Sequence, residues 1–231
     1  GKDDTGRGGG MRATGDVTLT DVVFTKCSAS QDGGGLSVEE GATATVDQCW
    51  FIKNKSKDDG AGVDISDGNL VMTNSTLEGN KAKEEGGAME FSTATASLTN
   101  VTIYKNKAKR GAAINVEFGV TADLLNCTLT DNRAKEDANL NADIPVGDGG
   151  AVVVTLENTI LFKKGKKVGN CGLPVNSLGG NIENGDTCFS DIGDGNADLT
   201  GTDPMLAKKA EDNGGPVRTV ALMDASPAID A

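Results

Sequence analysis

The chain runs to 231 residues with a net charge of −12, 3% aromatic residues, 37% apolar residues and 32 glycines. So much acid argues against a general nucleic-acid binder, and the absence of histidine removes the usual general base, the Ser-His and Cys-His nucleophile pairs and the commonest zinc ligand. The apolar fraction exceeds that of a disordered chain, and with so few rings small aliphatic side chains must fill the core.

In chain order the elements begin with a glycine corner, Gly8-Gly-Gly-Met11, that opens a repeat of about 26 residues. The first unit carries Asp21, Phe24 and Cys27. The second carries Val46, Gln48, Phe51, Asn54 and Ser56, then the corner Gly60-Ala-Gly62 and the alternating Val63-Asp-Ile65. The third repeats the pattern with Met72, Asn74, Leu77, Asn80, Ala82, Gly86-Gly-Ala88 and Met89-Glu-Phe91. The fourth has Leu98, Asn100, Ile103, Asn106, Ala108, Gly111-Ala-Ala113 and Ile114-Asn-Val116. The fifth has Leu124, Asn126, Leu129, Asn132 and Ala134. The sixth, after an insertion of about six residues, has Leu156, Asn158 and Leu161, and the register of residues 137 to 155 stays open.

Short apolar/polar alternations between Gly or Asn corners read as strands with one face buried. Three per unit, each too short for a hairpin, predict an all-β fold: a right-handed parallel β-helix, or solenoid, of about six coils of ~26 residues. The coils are expected over residues 1–165, and 166–231 as an irregular, loop-rich C-terminal cap on the same solenoid. The longest apolar run, Ala151 to Leu156, is too short to cross a bilayer. With no signal peptide, the sequence reads as a mature form or an excised segment, and the open coil ends as sites of self-assembly.

The recurring asparagines follow from the corners, where backbone groups turn inward without a strand partner. Asn54, Asn80, Asn106 and Asn132 are expected to stack as one inward ladder, and Asn74, Asn100, Asn126 and Asn158 as a second, because an amide both donates and accepts. Asn54-Lys-Ser, Asn74-Ser-Thr, Asn100-Val-Thr and Asn126-Cys-Thr are N-glycosylation sequons. Inward asparagines would make them a by-product of the ladders; outward ones would make the chain a glycoprotein.

The same period places cations in two columns, Lys55, Lys81, Lys107 and Arg133, and Lys57, Lys83, Lys109 and Lys135, on either side of the small residues Ser56, Ala82, Ala108 and Ala134. Like charges about 5 Å apart repel by roughly 0.8 kcal/mol in water, so the pattern is unfavourable by itself. Two readings stand: a solvated edge neutralised by the neighbouring Asp58, Glu84, Glu136, Asp59, Glu85 and Asp137, or a docking stripe for an anionic polymer or a partner subunit. Thr76, Thr102 and Thr128 form a short column expected to face outward, and raise ice binding, which Asp47, Val71 and Leu125 in the companion column weaken.

Phe51-Ile-Lys-Asn54 and Gly86-Gly-Ala-Met89 resemble the paired FxxN and GGA[ILV] signatures of polymorphic outer-membrane protein repeats, with Leu or Ile replacing Phe in later coils. Asp203-Pro-Met-Leu206, Asn213-Gly-Gly-Pro-Val-Arg-Thr219 and Ser226-Pro-Ala-Ile-Asp230 are similar to the closing segment of choice-of-anchor Q domain proteins. The two resemblances imply an extracellular or cell-surface protein with a pectin-lyase-like fold, in a group where adhesion or display outweighs catalysis. That fold also serves polysaccharide lyases and hydrolases. Polygalacturonase-type sites need histidine, however, and none of the five arginines sits in a recognisable lyase motif. The chain therefore reads as a non-catalytic stalk, adhesin or assembly subunit, with a polysaccharide-binding or polysaccharide-cleaving module as the alternative. Glycans or other extracellular proteins are the expected partners.

Five cysteines without CxxC spacing argue against structural zinc. Cys171 and Cys188 bracket a polar, glycine-rich loop and are expected to form a disulfide, which fits an oxidising compartment. Cys49 and Cys127 fall on one inward column three coils apart, about 14 Å, too far to bridge. Cys27 takes the ladder position of the first coil. The sequence calls for no cofactor. Calcium is the one candidate, at the oxygen-rich Asp191, Asp194, Asn196 and Asp198, whose spacing is not that of an EF-hand.

Overall fold

The computed structural model of the chain describes residues 6–143, 150–165, 168–189 and 197–229. Two parallel sheets make up the coils. The larger has eleven strands, running from Met11–Ala13 and Val17–Thr20 through Val63–Thr73 and Met89–Thr99 to Val153–Glu157 and Asn176–Gly179. The second has seven: Val23–Thr25, Trp50–Ile52, Thr76–Glu78, Thr102–Tyr104, Thr128–Thr130, Ile160–Phe162 and Ile182–Glu183. Among the described residues there is no helix, and so none long and apolar enough to cross a membrane.

Register follows the repeat. Leu19, Val46, Met72, Leu98, Leu124 and Leu156 are strand partners in succession, as are Phe24, Phe51, Leu77, Ile103, Leu129 and Leu161. Both columns point inward and are buried, forming the continuous core of a parallel solenoid of about six turns. Aromatic content is spent sparingly: Phe24 and Phe51 stack at 4.8 Å between centroids, and the rest of the core is mainly aliphatic.

The coil boundary lies further along than expected. Asn176–Gly179 and Ile182–Glu183 extend both sheets beyond residue 165, and Leu199 bridges Ile182. Past this coil the chain forms an antiparallel hairpin, Leu206–Glu211 with Thr219–Leu222, and it lies against the side of the second sheet. Thr76 Oγ1 donates to the Arg218 carbonyl at 2.6 Å, Tyr104 Oη donates to the Lys208 carbonyl at 2.9 Å, and Arg218 lies over the Trp50 ring. Tyr104 packs with Ala210 and Val220 in a small core of its own. Thr76 thus faces outward from the coil, as expected of its column, but lies covered by the hairpin; Thr102 is buried too and Thr128 is half-buried, so the column is not the exposed threonine face that ice binding needs. The closing motifs make local bonds: Asp203 accepts from the Met205 N–H, Asn213 donates to Thr219, and Ser226 donates to the Pro204 carbonyl.

Corners explain the glycines and asparagines separately. A Cβ on Gly87 would sit 2.5 Å from the Ala112 carbonyl oxygen and 2.8 Å from the Lys107 backbone, so only glycine lets this corner close. Asn74, Asn100, Asn126 and Asn158 have φ of 46°, 56°, 54° and 49°, in line with Asp21 and Gln48 at 55°. Asparagine and aspartate tolerate this left-handed conformation better than other non-glycine residues.

Candidate functional site

The Asn54 column is built as a ladder. Asn80 Oδ1 accepts from the Asn54 N–H at 2.9 Å, Asn106 Oδ1 from the Asn80 N–H at 2.8 Å, and Asn132 Oδ1 from the Asn106 N–H at 2.9 Å. Each Nδ2 donates to a carbonyl of the preceding coil, those of Phe24, Phe51, Leu77 and Ile103 in turn. Cys27 stands at the head of the column with its N–H bonded to Asn54 Oδ1. At the far end Asn132 passes to Asn139, Asn139 to Asn170, and Asn170 to the buried Glu183.

The second asparagine column is not an inward ladder. Asn100 and Asn126 are exposed or half-buried at the surface along with Asn74 and Asn158, because a left-handed corner turns the side chain outward. Asn100 does bond Asn74 Oδ1, but at the surface. The inward role passes to the next residue: Ser75 Oγ accepts from the Cys49 N–H, Thr159 Oγ1 from the Cys127 N–H, and Asn181 Oδ1 from the Thr159 N–H. Burial thus argues against glycosylation only at Asn54, not at the three sequons of this column. Cys49 and Cys127 are buried free thiols, Cys27 is free and half-buried, and Cys171 and Cys188 are joined with 5.1 Å between Cα atoms.

Immediately after the ladder the chain makes one bridge per coil, Ser28 to Lys55 to Lys81 to Lys107 to Arg133. Alternation then sends Lys55, Lys57, Lys81, Lys83, Lys107, Lys109, Arg133 and Lys135 to solvent, and all eight are exposed. Between the two columns Ser56, Ala82 and Ala108 are buried and Ala134 is half-buried; the alanines pack on Ala61 and Ala112 of the glycine corners. Long stems beside short ones leave a groove of about 780 Å³ lined by both cation columns. The walls differ. Glu84 pairs with Lys83 at 3.4 Å and with Lys109, and the Lys109 ammonium, with that of Lys83, holds its carboxyl below the usual range. Lys55, Lys81, Lys107 and Arg133 make no ion pair among the described residues.

A second polar row escaped the sequence pattern. Arg12, Ser37, Asp64, Glu90, Asn115 and Asn141 are strand partners in succession. Alternation predicts them exposed, yet Ser37 to Asn141 are buried because the corner loops fold over them. Gly60 shows how close: a Cβ there would sit 2.8 Å from Asp64 Cβ. Burial, and then the charge of Asp32, raises the Asp64 carboxyl to about 8. Burial also raises Glu90 well above the ordinary value although Asn115 donates to Oε1, and Glu90 Oε2 has no partner. Burial, and then Asp58, raises Asp59 to about 7. Arginines close both ends: Arg12 on Glu39, and Arg110 on Glu85 and Asp143. The signal for this row was the in-register polar middle of Val63-Asp-Ile65, Met89-Glu-Phe91 and Ile114-Asn-Val116.

Among the described residues one carboxylate group is tight enough for a cation, Asp32, Asp58 and Asp59, with oxygens within 4.8 Å of one another. These are hard oxygen donors of the type calcium takes, and such acidic corners are also common without an ion. Of the calcium candidates, Asp191, Asp194 and Asn196 lie outside the described residues; Asp198 instead accepts from the Asn181 N–H and from Ser177.

Stacked parallel coils, an internal asparagine ladder and a long surface groove define the class: a parallel β-helix protein. The chain belongs to the right-handed beta helix region family, whose model matches residues 7–185. No curated protein and no solved structure matches it.

Proposed function

We propose that this chain is a non-catalytic β-helix of the extracellular surface, a rigid adhesin or stalk that holds an anionic polymer such as an acidic glycan in its cation-lined groove. One observation carries the reading: eight exposed cations, in two columns four coils long, line a single groove on a molecule whose net charge is −12. Concentrating like charge costs energy, and an anionic ligand offsets that cost. The resemblance to polymorphic outer-membrane protein repeats and choice-of-anchor Q domains supports display at a surface. The Cys171–Cys188 bond fits an oxidising compartment.

Fluorescence or calorimetric titration with an acidic polysaccharide tests it. Binding is expected at low salt, to weaken steeply as salt rises, and to fall about tenfold or more in Lys81→Glu/Lys107→Glu, about 1.4 kcal/mol. Equal binding by that variant would remove the groove from the function.

One observation favours the catalytic alternative: Asp59, half-buried beside Asp32 and Asp58, keeps its proton to about pH 7, as a general acid must. New reducing ends released from the same polysaccharide, and lost in Asp59→Asn, would decide for it.

A further inference from the structure

We infer that Asn126-Cys-Thr128 is an N-glycosylation site of the folded chain, and that the fold closes the other three sequons, at Asn54, Asn74 and Asn100. The acceptor motif is an asparagine amide with a hydroxyl two residues on. A transferase acting on a folded protein needs both groups within reach, and the bulky sugar needs solvent around it.

Asn54 fails on both counts. It is fully buried, its Oδ1 accepts from the Cys27 N–H at 2.9 Å, and its Nδ2 donates to the Phe24 carbonyl at 3.0 Å. A sugar there would stand in the core and break the ladder.

The three corner sequons share one backbone conformation, with φ of 46°, 56° and 54° at Asn74, Asn100 and Asn126. Their side chains separate them. Asn74 is half-buried and donates through Nδ2 to Asp47 Oδ1 at 2.9 Å, while Asn100 donates through Nδ2 to Asn74 Oδ1 at 3.1 Å. Both amide nitrogens are thus engaged. Their hydroxyls are closed as well: Thr76 is buried and donates to the Arg218 carbonyl of the hairpin at 2.6 Å, and Thr102 is buried.

Asn126 differs in each respect. It is exposed, and its side chain makes no hydrogen bond among the described residues; Thr128 is half-buried, and its hydroxyl makes none either. The backbone presents the pair firmly, since the Asn126 N–H donates to the Glu157 carbonyl and the Thr128 N–H to the Val101 carbonyl, both at 3.0 Å. The strand Thr128–Thr130 lies between this corner and the cation groove at Arg133 and Lys135, so the site is separate from the groove.

The donor is a sugar diphosphate. Asn126 Nδ2 attacks C1 of the sugar, the Nδ2–C1 bond forms, and the C1–O bond breaks with its electron pair leaving on the diphosphate. The proton lost from Nδ2 passes to a base of the transferase.

The folded full chain is incubated with a soluble asparagine glucosyltransferase and UDP-glucose, under conditions in which synthetic peptides of all four sequons are glucosylated. Peptide mass spectrometry then maps the sugar. One hexose per chain is expected at Asn126, added about tenfold faster than at any other sequon. Asn126→Asp, which tolerates the same backbone angle, and Thr128→Val, which keeps the asparagine, should each abolish it. Both positions are at the surface, and an unchanged circular dichroism spectrum shows that each variant is folded. Sugar at Asn54, equal rates at Asn74 or Asn100, or no sugar on the folded chain overturns the inference.

Discussion

Asn80 and Asn100 occupy the same repeat and obey different physics. Asn80 is fully buried, accepts from the Asn54 N–H and donates to the Phe51 carbonyl of the same preceding coil and to Asn106 Oδ1 of the next, so its replacement leaves a buried N–H and a buried carbonyl without partners. Asn80→Ala should cost about 1–3 kcal/mol in urea unfolding. Asn100 is exposed with φ of 56°, and is kept by its backbone. Asn100→Gly should be close to neutral, whereas Asn100→Ala should cost about 1 kcal/mol through left-handed strain. Equal losses at Asn80→Ala and Asn100→Gly would refute the distinction. Period and residue type were legible here. The direction of the second column was not, because it is decided by the sign of a backbone angle that an asparagine in either role satisfies.

At the level of the element, each coil has inward alternation where a sheet faces the core, and there the sequence is a sound guide. It fails at Val63-Asp-Ile65 and its counterparts, where corner loops cover the outer face and bury Asp64, Glu90 and Asn115 as well. Alternation reports one covered face and carries no information on whether another segment covers the other. The same limit hid the hairpin of residues 206–222, whose docking buries Thr76 and Tyr104. In the last coil, Cys171 and Cys188 tie the strands around Asn176–Gly179 and Ile182–Glu183. Cys171→Ser/Cys188→Ser should lower stability by about 3 kcal/mol through the entropy of the freed loop. The denaturant midpoint checks this, and an unchanged midpoint would place the stability of this coil in its hydrogen bonds alone.

For the whole molecule, the buried acids set the response to pH. Asp59, Asp64 and Glu90 all hold protons above the range of an unfolded carboxyl. From about pH 4 upward the unfolded chain releases protons that Asp59 and Asp64 in the native chain keep to about 7 and about 8. Their stabilisation is therefore complete below the unfolded pKa and is lost as pH rises through the folded one. Glu39, held low by the Arg12 hydrogen bond, acts oppositely and only at more acidic pH. Urea midpoints should fall from about pH 5 to about pH 8, and Asp64→Asn/Glu90→Gln should flatten the slope. A slope unchanged in that variant would assign the pH response to other groups. The repeat of about 26 residues by itself determined the parallel solenoid, its core columns and the two cation columns, because stacking converts sequence interval directly into vertical neighbourhood. Tertiary structure alone decided which outward faces meet solvent: the corner loops that bury Asp64 and Glu90, and the hairpin over Tyr104. The hairpin shares no period with the coils, and a recurring corner does not tell how far it folds over the strand beside it, so no repeat in the chain announces either burial.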